Sequence, residues 1–270
     1  MLPLEEFAHV TVVHSGSPFE ILRGRYVRQR FAPHAHDTYA IGSMMTGAAT
    51  CVSRGEETTH ATGDLITIEP GAVHTGGPLT AQGWSYRMLY IPREVMARCW
   101  NGDGQPPRFE NTGVADSELS SRIAHVHALL EGSEDPLHQE SALIATLRAI
   151  CERHAQLPAA RAHGASPGAL QKVREYLEEN FADHITLADL SRVSALSAFH
   201  LIRQFRRYYG MPPHRYLEVV RVERAKLLLR GGARISDAAY ATGFSDQSHL
   251  TRHFKRVIGV TPGSYAQSYR

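Results

Sequence analysis

The first third of the chain alternates hydrophobic and polar residues in the manner of short β-strands. The alternation runs between about residues 10 and 92, in pieces such as "EILRGRYVRQ", "DLITIE" and "SYRMLYIP". Turns rich in Gly and Pro separate these pieces, among them "GD" at 63–64 and "EPGAVH" at 69–74. Many short strands at this spacing predict a sandwich or a small barrel.

From about residue 116 the apolar positions follow the period of a helix instead. Two stripes stand on either side of "GSEDP": Leu119, Ile123, Val126 and Leu130, then Leu143, Leu147 and Ile150. They predict a helical pair over 116–154, which either mediates dimerisation or packs against the chain's own strands. "AQLPAARAHGASPG" at 155–168 has no such pattern and is interpreted as a linker, and 169–270 is predicted to be entirely helical.

Charge divides the chain in a way that the net value of +2 conceals. Residues 168–270 carry 16 Lys and Arg against 9 Asp and Glu, a net charge of +7, whereas residues 1–167 carry −5. A basic segment attached to an acidic body is typical of a nucleic-acid-binding module joined to another domain, although a solvated basic face gives the same balance.

Cysteine usage and hydropathy bear on where the protein works. The three cysteines, Cys51, Cys99 and Cys151, are odd in number and lack CxxC spacing, as expected of buried thiols in a reducing compartment. The N-terminus "MLPLEEFAHV" lacks an apolar signal core, and no run reaches the roughly 20 apolar residues of a membrane span. We therefore expect a cytoplasmic protein without membrane association.

The sequence of one basic, amphipathic helix occurs twice in the C-terminal part. "HLIRQFRRYYGMPPHRY" at 200–216 returns as "HLTRHFKRVIGVTPGSY" at 249–265, with eight matching positions. Each copy follows a shorter helix and a tight turn, so the sequence predicts two helix-turn-helix units, at 186–209 and 235–258. The amphipathic segment "RYLEVVRVERAKLLLRGG" between them predicts a rod that fixes the two recognition helices, each positioned to read one half-site of a duplex.

These segments resemble the C-terminal DNA-binding domain of the AraC/XylS family of bacterial transcription regulators. The resemblance covers roughly 170–268 and is carried above all by "ISDAAYATGFSDQSHLTRHFKRVIGVTPGSY". Ser191 and Ala195 stand where the family usually has Ala and Gly, and an Ala that needs a positive φ is mildly strained. The resemblance implies a regulator, more often an activator, that binds promoter DNA and contacts RNA polymerase.

The outward stripes of the two recognition helices supply the candidates for DNA contact. Arginine pairs with guanine, glutamine with adenine, and apolar tips suit the thymine methyl group. Together with the family's matching positions, this gives the predicted base readers Phe199, Ile202, Arg203, Gln247, Ser248 and Arg252. The predicted phosphate contacts, which hold register without reading sequence, are Arg206, Arg207, Thr251, Lys255 and Arg256. For each residue the alternative is a solvated side chain that touches no DNA.

The N-terminal part resembles the small β-barrel called a cupin, the usual effector domain of the same family. "PHAHDTYAIGSMMTG" and "GDLITIEPGAVH" carry the resemblance, which runs from about 20 to 92. In metal-dependent cupins an HxH pair, a Glu and a later His converge, and His34, His36 and His74 occupy the histidine positions. Ala40 replaces the Glu, so we expect no metal and no cofactor, with the histidines lining a pocket for an organic effector.

Two further residues are candidates for that pocket. We expect Tyr39 to lie beside the histidines, and Arg87 to suit a carboxylate effector if it points inward, although a surface strand arginine is the more ordinary interpretation. The alternation leaves open which face of the strand "WSYRMLYIP" points inward.

Together these patterns predict an α+β multidomain chain. Its parts are a cupin-like barrel at 1–115, the helical pair, the linker and an all-α DNA-binding domain from 169. The expected function is a homodimeric, effector-controlled transcription regulator rather than an enzyme. Two alternatives stay open: a metal-dependent cupin enzyme tethered to a DNA-binding domain, and an architectural DNA-binding protein whose barrel is inert.

Overall fold

The computed structural model describes residues 5–14, 18–100, 105–132, 135–156 and 167–269. Contacts divide the chain into two compact units: residues 1–30 with 35–159, and residues 31–34 with 160–270. The first contains most of the strands and the second contains the C-terminal helices. Nothing in the described part of the chain is a helix both long enough and apolar enough to cross a membrane.

The predicted strands form the sheet structure of the N-terminal domain. In chain order they are β1 (Phe7–Val13), β2 (Phe19–Tyr26), β3 (Phe31–His34), β4 (Tyr39–Ser53), β5 (Glu56–Ala61), β6 (Leu65–Ile68), β7 (His74–Pro78), β8 (Trp84–Ile91), β9 (Arg108–Phe109), β10 (Gly113–Val114) and β11 (Ala155–Gln156). The main path of the sheet is β1-β2-β8-β4-β6-β10, and every pairing with a recorded register is antiparallel.

The long strand β4 joins two parts of this sheet. Its first half pairs with β8 and β6, and its second half, beyond a register shift between Met44 and Thr46, pairs with β5 and β7. A β-bulge bends a strand and increases its twist, which lets one strand serve two sheet directions. The prediction of a β-rich domain is confirmed.

Three helices belong to this domain: α1 (Arg93–Cys99), α2 (Ser117–Gly132) and α3 (Pro136–His154). Helix α2 packs against β4, β6 and β8 on one face of the sheet, and α3 packs against α1 and α2. The two apolar stripes predicted from the sequence lie entirely in the core of this domain, together with Ile21, Ile41 and Leu89 from the strands. Of the two interpretations of the stripes, packing against the chain's own strands is therefore the one observed. Helix α1 had no counterpart in the sequence pattern.

The C-terminal part is helical, as predicted. Its elements are α4 (Pro167–Glu179), α5 (Leu187–Ser194), α6 (Ala198–Tyr209), α7 (Pro213–Arg230), α8 (Ile235–Ala241), α9 (Gln247–Ile258) and α10 (Pro262–Gln267). The pairs α5–α6 and α8–α9 are the two predicted helix-turn-helix units, with α7 as the connecting rod. Most of the expected linker, residues 157–166, lies outside the described residues, while its ends belong to β11 and α4.

Local chemistry places the start of each recognition helix. The Ser197 hydroxyl accepts the backbone N–H of His200 at the start of α6, and the Asp246 carboxylate accepts that of His249 at the start of α9. The turn before α6 contains Ala195 with φ 56° in the left-handed region, so the mild strain expected there is present.

Candidate nucleic-acid interface and ligand-binding face

Helix α6 presents one apolar and one basic face. Leu201 and Phe205 are fully buried, whereas Phe199 is 76% exposed and Arg203, Arg206 and Arg207 are also exposed. Ile202 is half-buried. All the predicted DNA-contacting side chains of this helix therefore lie away from its buried stripe. The helical period from Leu201 and Phe205 predicts Tyr208 as the next core residue; this prediction is wrong, because Tyr208 is 38% exposed and Tyr209 packs against the core instead.

Helix α9 repeats this division of faces. Its buried stripe contains Leu250, Phe254 and Val257. The candidates Gln247, Ser248, Arg252, Lys255 and Arg256 are exposed, and Thr251 is half-buried with its hydroxyl donating to the carbonyl of Gln247 at 2.8 Å. The two recognition helices thus offer equivalent basic stripes, with guanidinium groups at the corresponding positions 203 and 252.

A cluster of rings fixes α9 to its own unit. The imidazoles of His249 and His253 lie 4.7 Å apart, and each packs against Phe244. Burial lowers the pKa of His249, and its Nδ1 lies 3.0 Å from the Ser245 hydroxyl. His249 therefore supports the helix rather than facing outward with the arginines.

The rod α7 is bound to α4 and to α9 through side chains. The Tyr216 hydroxyl donates to Glu178 on α4 at 2.5 Å, and burial raises the pKa of this tyrosine. On the other side, Glu218 lies 3.2 Å from Nδ1 of the buried His253 on α9. None of these four residues was singled out from the sequence, because their pairing depends on how α4, α7 and α9 pack.

In the N-terminal domain, the strand alternation can now be assigned. Leu89 and Ile91 lie in the core beneath the helices, so Tyr86, Met88 and Tyr90 point to the other face of the sheet. On the neighbouring β2 that face carries Glu20, Leu22, Gly24 and Tyr26, paired with Tyr90, Met88, Tyr86 and Trp84. We call the face of the sheet opposite to α2 the inner face.

The inner face combines aromatic and hydrogen-bonding groups. The rings of Tyr26 and Tyr86 are 5.7 Å apart, and those of His36 and Tyr90 are 5.1 Å apart in an edge-on arrangement. Burial raises the pKa of Tyr86 well above its usual value, so its hydroxyl is neutral and can donate a hydrogen bond. Glu20, only 7% exposed, adds a carboxylate to this otherwise apolar surface.

The three predicted histidines come together. Potential ligand nitrogens of His34, His36 and His74 lie within 4.8 Å of one another. Nδ1 of His34 faces the carbonyl of Ala32 at 2.7 Å, and Nδ1 of His74 faces that of Ala72 at 2.9 Å. A carbonyl only accepts, so Nδ1 carries the proton in both rings, and in a neutral ring of this tautomer the lone pair is on Nε2.

This arrangement suits two kinds of partner. Imidazole lone pairs accept hydrogen bonds from hydroxyl or amine groups, and three imidazoles can also supply three positions of a tetrahedral metal site. Ala40 lies on the same strand face but brings no donor atom, so the expected departure from the metal-binding cupin set is present in the structure.

Two of the effector candidates lie elsewhere. Tyr39 is buried in the core on the helix side, where its hydroxyl donates to the carbonyl of Pro107 at 3.0 Å. Arg87 points toward α2, where it donates to Glu131 at 3.2 Å and lies 3.2 Å from Nδ1 of His127. Both occupy odd-numbered positions of strands whose even-numbered positions face inward, so Tyr39 does not lie beside the histidines as expected, and Arg87 does not point inward.

Comparison with known proteins agrees with both halves of this architecture. Residues 17–147 match the AraC-like ligand binding domain, and residues 190–268 match a helix-turn-helix domain. The uncharacterised HTH-type transcriptional regulator YbfI of Bacillus subtilis is 30% identical over 86% of this chain and 85% of its own length. The HTH-type transcriptional activator RhaS of Escherichia coli is 34% identical over 38% of this chain and 37% of its own length.

Solved structures support the same fold. An apo form of ToxT from Vibrio cholerae covers 98% of both chains with a TM-score of 0.58 at 14% identity, and a form of ToxT with a bound unsaturated fatty acid gives 0.57 over 97% of this chain and 94% of its own. A ligand-binding β-rich domain joined to two helix-turn-helix units defines a DNA-binding transcription regulator. More particularly, the chain belongs to the AraC/XylS family of these regulators.

Proposed function

We propose that this regulator reads a two-part operator through α6 and α9 and that a small molecule bound on the inner face controls it. The observation that carries the proposal is the equivalence of the two recognition helices: each buries a leucine and a phenylalanine and exposes an arginine at the corresponding outward position. Arginine at such a position reads guanine in the major groove.

The base readers are proposed to be the six residues named from the sequence, with the five basic or hydroxyl side chains beside them contacting phosphates. A selection of random duplexes with the full chain tests this. We expect two conserved half-sites about one helical turn apart, as two readers on one face of the duplex require. A single half-site, or enrichment without sequence preference, contradicts the proposal.

The effector is proposed to be an uncharged or cationic molecule with hydroxyl or amine groups. The inward-facing residues of β2 and β8 include the carboxylate Glu20 and the rings Tyr86 and Tyr90, but no lysine or arginine. An aromatic surface with one carboxylate favours hydroxyl and ammonium groups over a carboxylate ligand. The fatty acid bound to ToxT carries a carboxylate, whereas Arg87 of this chain lies on the opposite face of the sheet, paired with Glu131.

A thermal-shift screen compares polyols and amines with aromatic and fatty carboxylates. A ligand that binds only the folded state raises the melting temperature. We expect the first group to do so, with the effect lost in Tyr90→Phe or His36→Ala and retained in the control Tyr39→Phe, which alters the opposite face. A melting temperature raised by carboxylates alone refutes this assignment.

The regulator is proposed to activate transcription through contact with RNA polymerase. Support comes from RhaS, whose name describes an activator and whose similarity covers the DNA-binding part. Transcription in vitro with purified RNA polymerase and the selected operator tests the direction of control. Higher transcript levels on adding the protein support activation, and lower levels refute it.

A further inference from the structure

Arg221, on the rod α7, holds the backbone of the loop that leads into the first helix-turn-helix unit. Its Nε donates to the carbonyl of Phe181 at 2.7 Å, and its Nη2 donates to the carbonyl of Asp183 at 2.9 Å. These carbonyls belong to the loop between α4 and α5, which leads directly into the first unit. A guanidinium donates through a rigid, planar fork, so two such bonds fix the direction of the loop relative to α7.

The second unit meets the same place through its turn. Gly243 lies between α8 and α9 with φ 79°, and a Cβ atom there would stand 2.7 Å from the carbonyl oxygen of Ala182 and 3.0 Å from Cζ of Arg221. The turn of the second unit thus touches both the loop before the first unit and the guanidinium that holds that loop. The other two side-chain links of α7 described above, at Tyr216 and Glu218, reach α4 and α9 respectively.

We propose that Arg221, the 181–183 loop and Gly243 form a junction that fixes the two recognition helices relative to each other and so sets the spacing of the two half-sites. Arg221 is then a positioning residue, which determines operator specificity without touching DNA. A helical rod that contacts the two units only at its ends can bend, and the units can rotate on it. A junction that joins the rod, the second unit and the loop before the first unit allows one arrangement of the two recognition helices. This inference rests on the proposed reading of two half-sites.

The main test is the selection of random duplexes repeated with the full-length Arg221→Met variant. The wild type should select one spacing and bind it about tenfold or more tightly than a duplex with one extra base pair between the half-sites, because the protein or the DNA must otherwise distort. Arg221→Met should select at least two spacings, with both half-site sequences unchanged. Arg230→Met is the matched control: it removes the same charge from the same helix, at a residue whose Nε donates to the Tyr265 hydroxyl of α10 at 2.8 Å, and it should keep the single spacing.

A second pair of variants tests the junction from the other side. Gly232 has nearly the same backbone conformation as Gly243, with φ 82°, but a Cβ atom there meets nothing within 4 Å. Gly232→Ala and Gly243→Ala therefore share the strain of a left-handed alanine, and only the second collides with Ala182. We expect the spacing to broaden in Gly243→Ala alone, among variants that thermal unfolding shows to be folded.

The outcomes separate the two claims. If the wild type selects no two-part motif, the proposed function is wrong and the inference falls with it. If the wild type selects one spacing and Arg221→Met binds more weakly but with that same spacing, the proposed function stands and the junction is refuted. The Arg221 variant decides the question if Gly243→Ala does not fold.

Discussion

Replacing Arg203 and Arg252 with alanine, singly and together, is the most direct test of the two-reader arrangement. Both side chains are exposed, on the faces opposite to the buried Leu201 and Leu250. Surface substitutions away from the core change stability by less than about 0.5 kcal/mol, so each helix should remain folded. Any loss of binding then reports the DNA contact and not the fold.

The magnitude follows from the contact that each guanidinium can make. A bidentate arginine–guanine pair contributes about 1–3 kcal/mol of discrimination, so each single variant should bind the operator about 5- to 140-fold more weakly. The two arginines stand on different helix-turn-helix units with no shared partner, so their free energies should add to about 2–6 kcal/mol in the double variant. The loss in Arg203→Ala should relax one half-site only, and that in Arg252→Ala the other.

The assay is a selection on random duplexes, followed by binding titrations at several salt concentrations. Lys255→Ala serves as the comparison, because a phosphate contact weakens all sequences alike and its removal lowers the salt slope by about one. If both arginine variants retain the wild-type motif at both half-sites, the two-reader reasoning is refuted, and at least one unit only grips the backbone.

Three further predictions concern the N-terminal domain. Elemental analysis of purified protein should give less than about one metal ion per two chains, since Ala40 contributes no carboxylate; stoichiometric zinc, nickel or iron that disappears in His36→Ala would overturn this. Burial lowers the pKa of His127 below its unfolded value. The unfolded chain therefore takes up the proton first, and His127 should make the free energy of unfolding fall by roughly 1 kcal/mol per pH unit as the pH drops from about 6.5 to about 4; an unchanged slope in His127→Gln contradicts this origin. Light scattering at tens of micromolar, with and without DNA, should show a homodimer, formed through a surface other than the buried stripes of α2 and α3; monomer under both conditions refutes it.

The sequence predicted the secondary structure and the exposed faces of the two recognition helices well, because both follow from local patterns. The period of apolar residues determines which side of α6 and α9 is buried. Arg203 and Arg252 fall outside that period, so both lie on the exposed side. One error was also local: in α6 the core stripe continues at Tyr209 rather than Tyr208. Tyr208 and Tyr209 are adjacent and both aromatic, so the helical period alone does not decide which of them is buried.

The proposed ligand-binding face was predicted less well, because strand alternation defines two faces without saying which one is covered by helices. The sequence left Tyr86 and Tyr90 unassigned and placed Tyr39 beside the histidines. The choice is made by α2, which packs against β4 and β8 on the side of their odd-numbered residues. The sequence left open whether the apolar stripes of α2 and α3 pack against the chain's own strands. Because that packing determines which face of the strands is covered, the sequence could not assign the inward face of β8 either.

The two helix-turn-helix turns show how one motif can obey different constraints in its two copies. Ala195 and Gly243 both have positive φ, so both turns use the left-handed conformation that costs a non-glycine residue roughly 1–2 kcal/mol. Ala195 is exposed, and its methyl group has room, so the first unit carries that strain and nothing more. At Gly243 a methyl group would clash with the carbonyl oxygen of Ala182. The second unit therefore needs glycine both for this close contact and for its left-handed backbone conformation. Both units therefore keep the same recognition helix, but only the second turn requires glycine, because only that turn packs closely against the loop before the first unit.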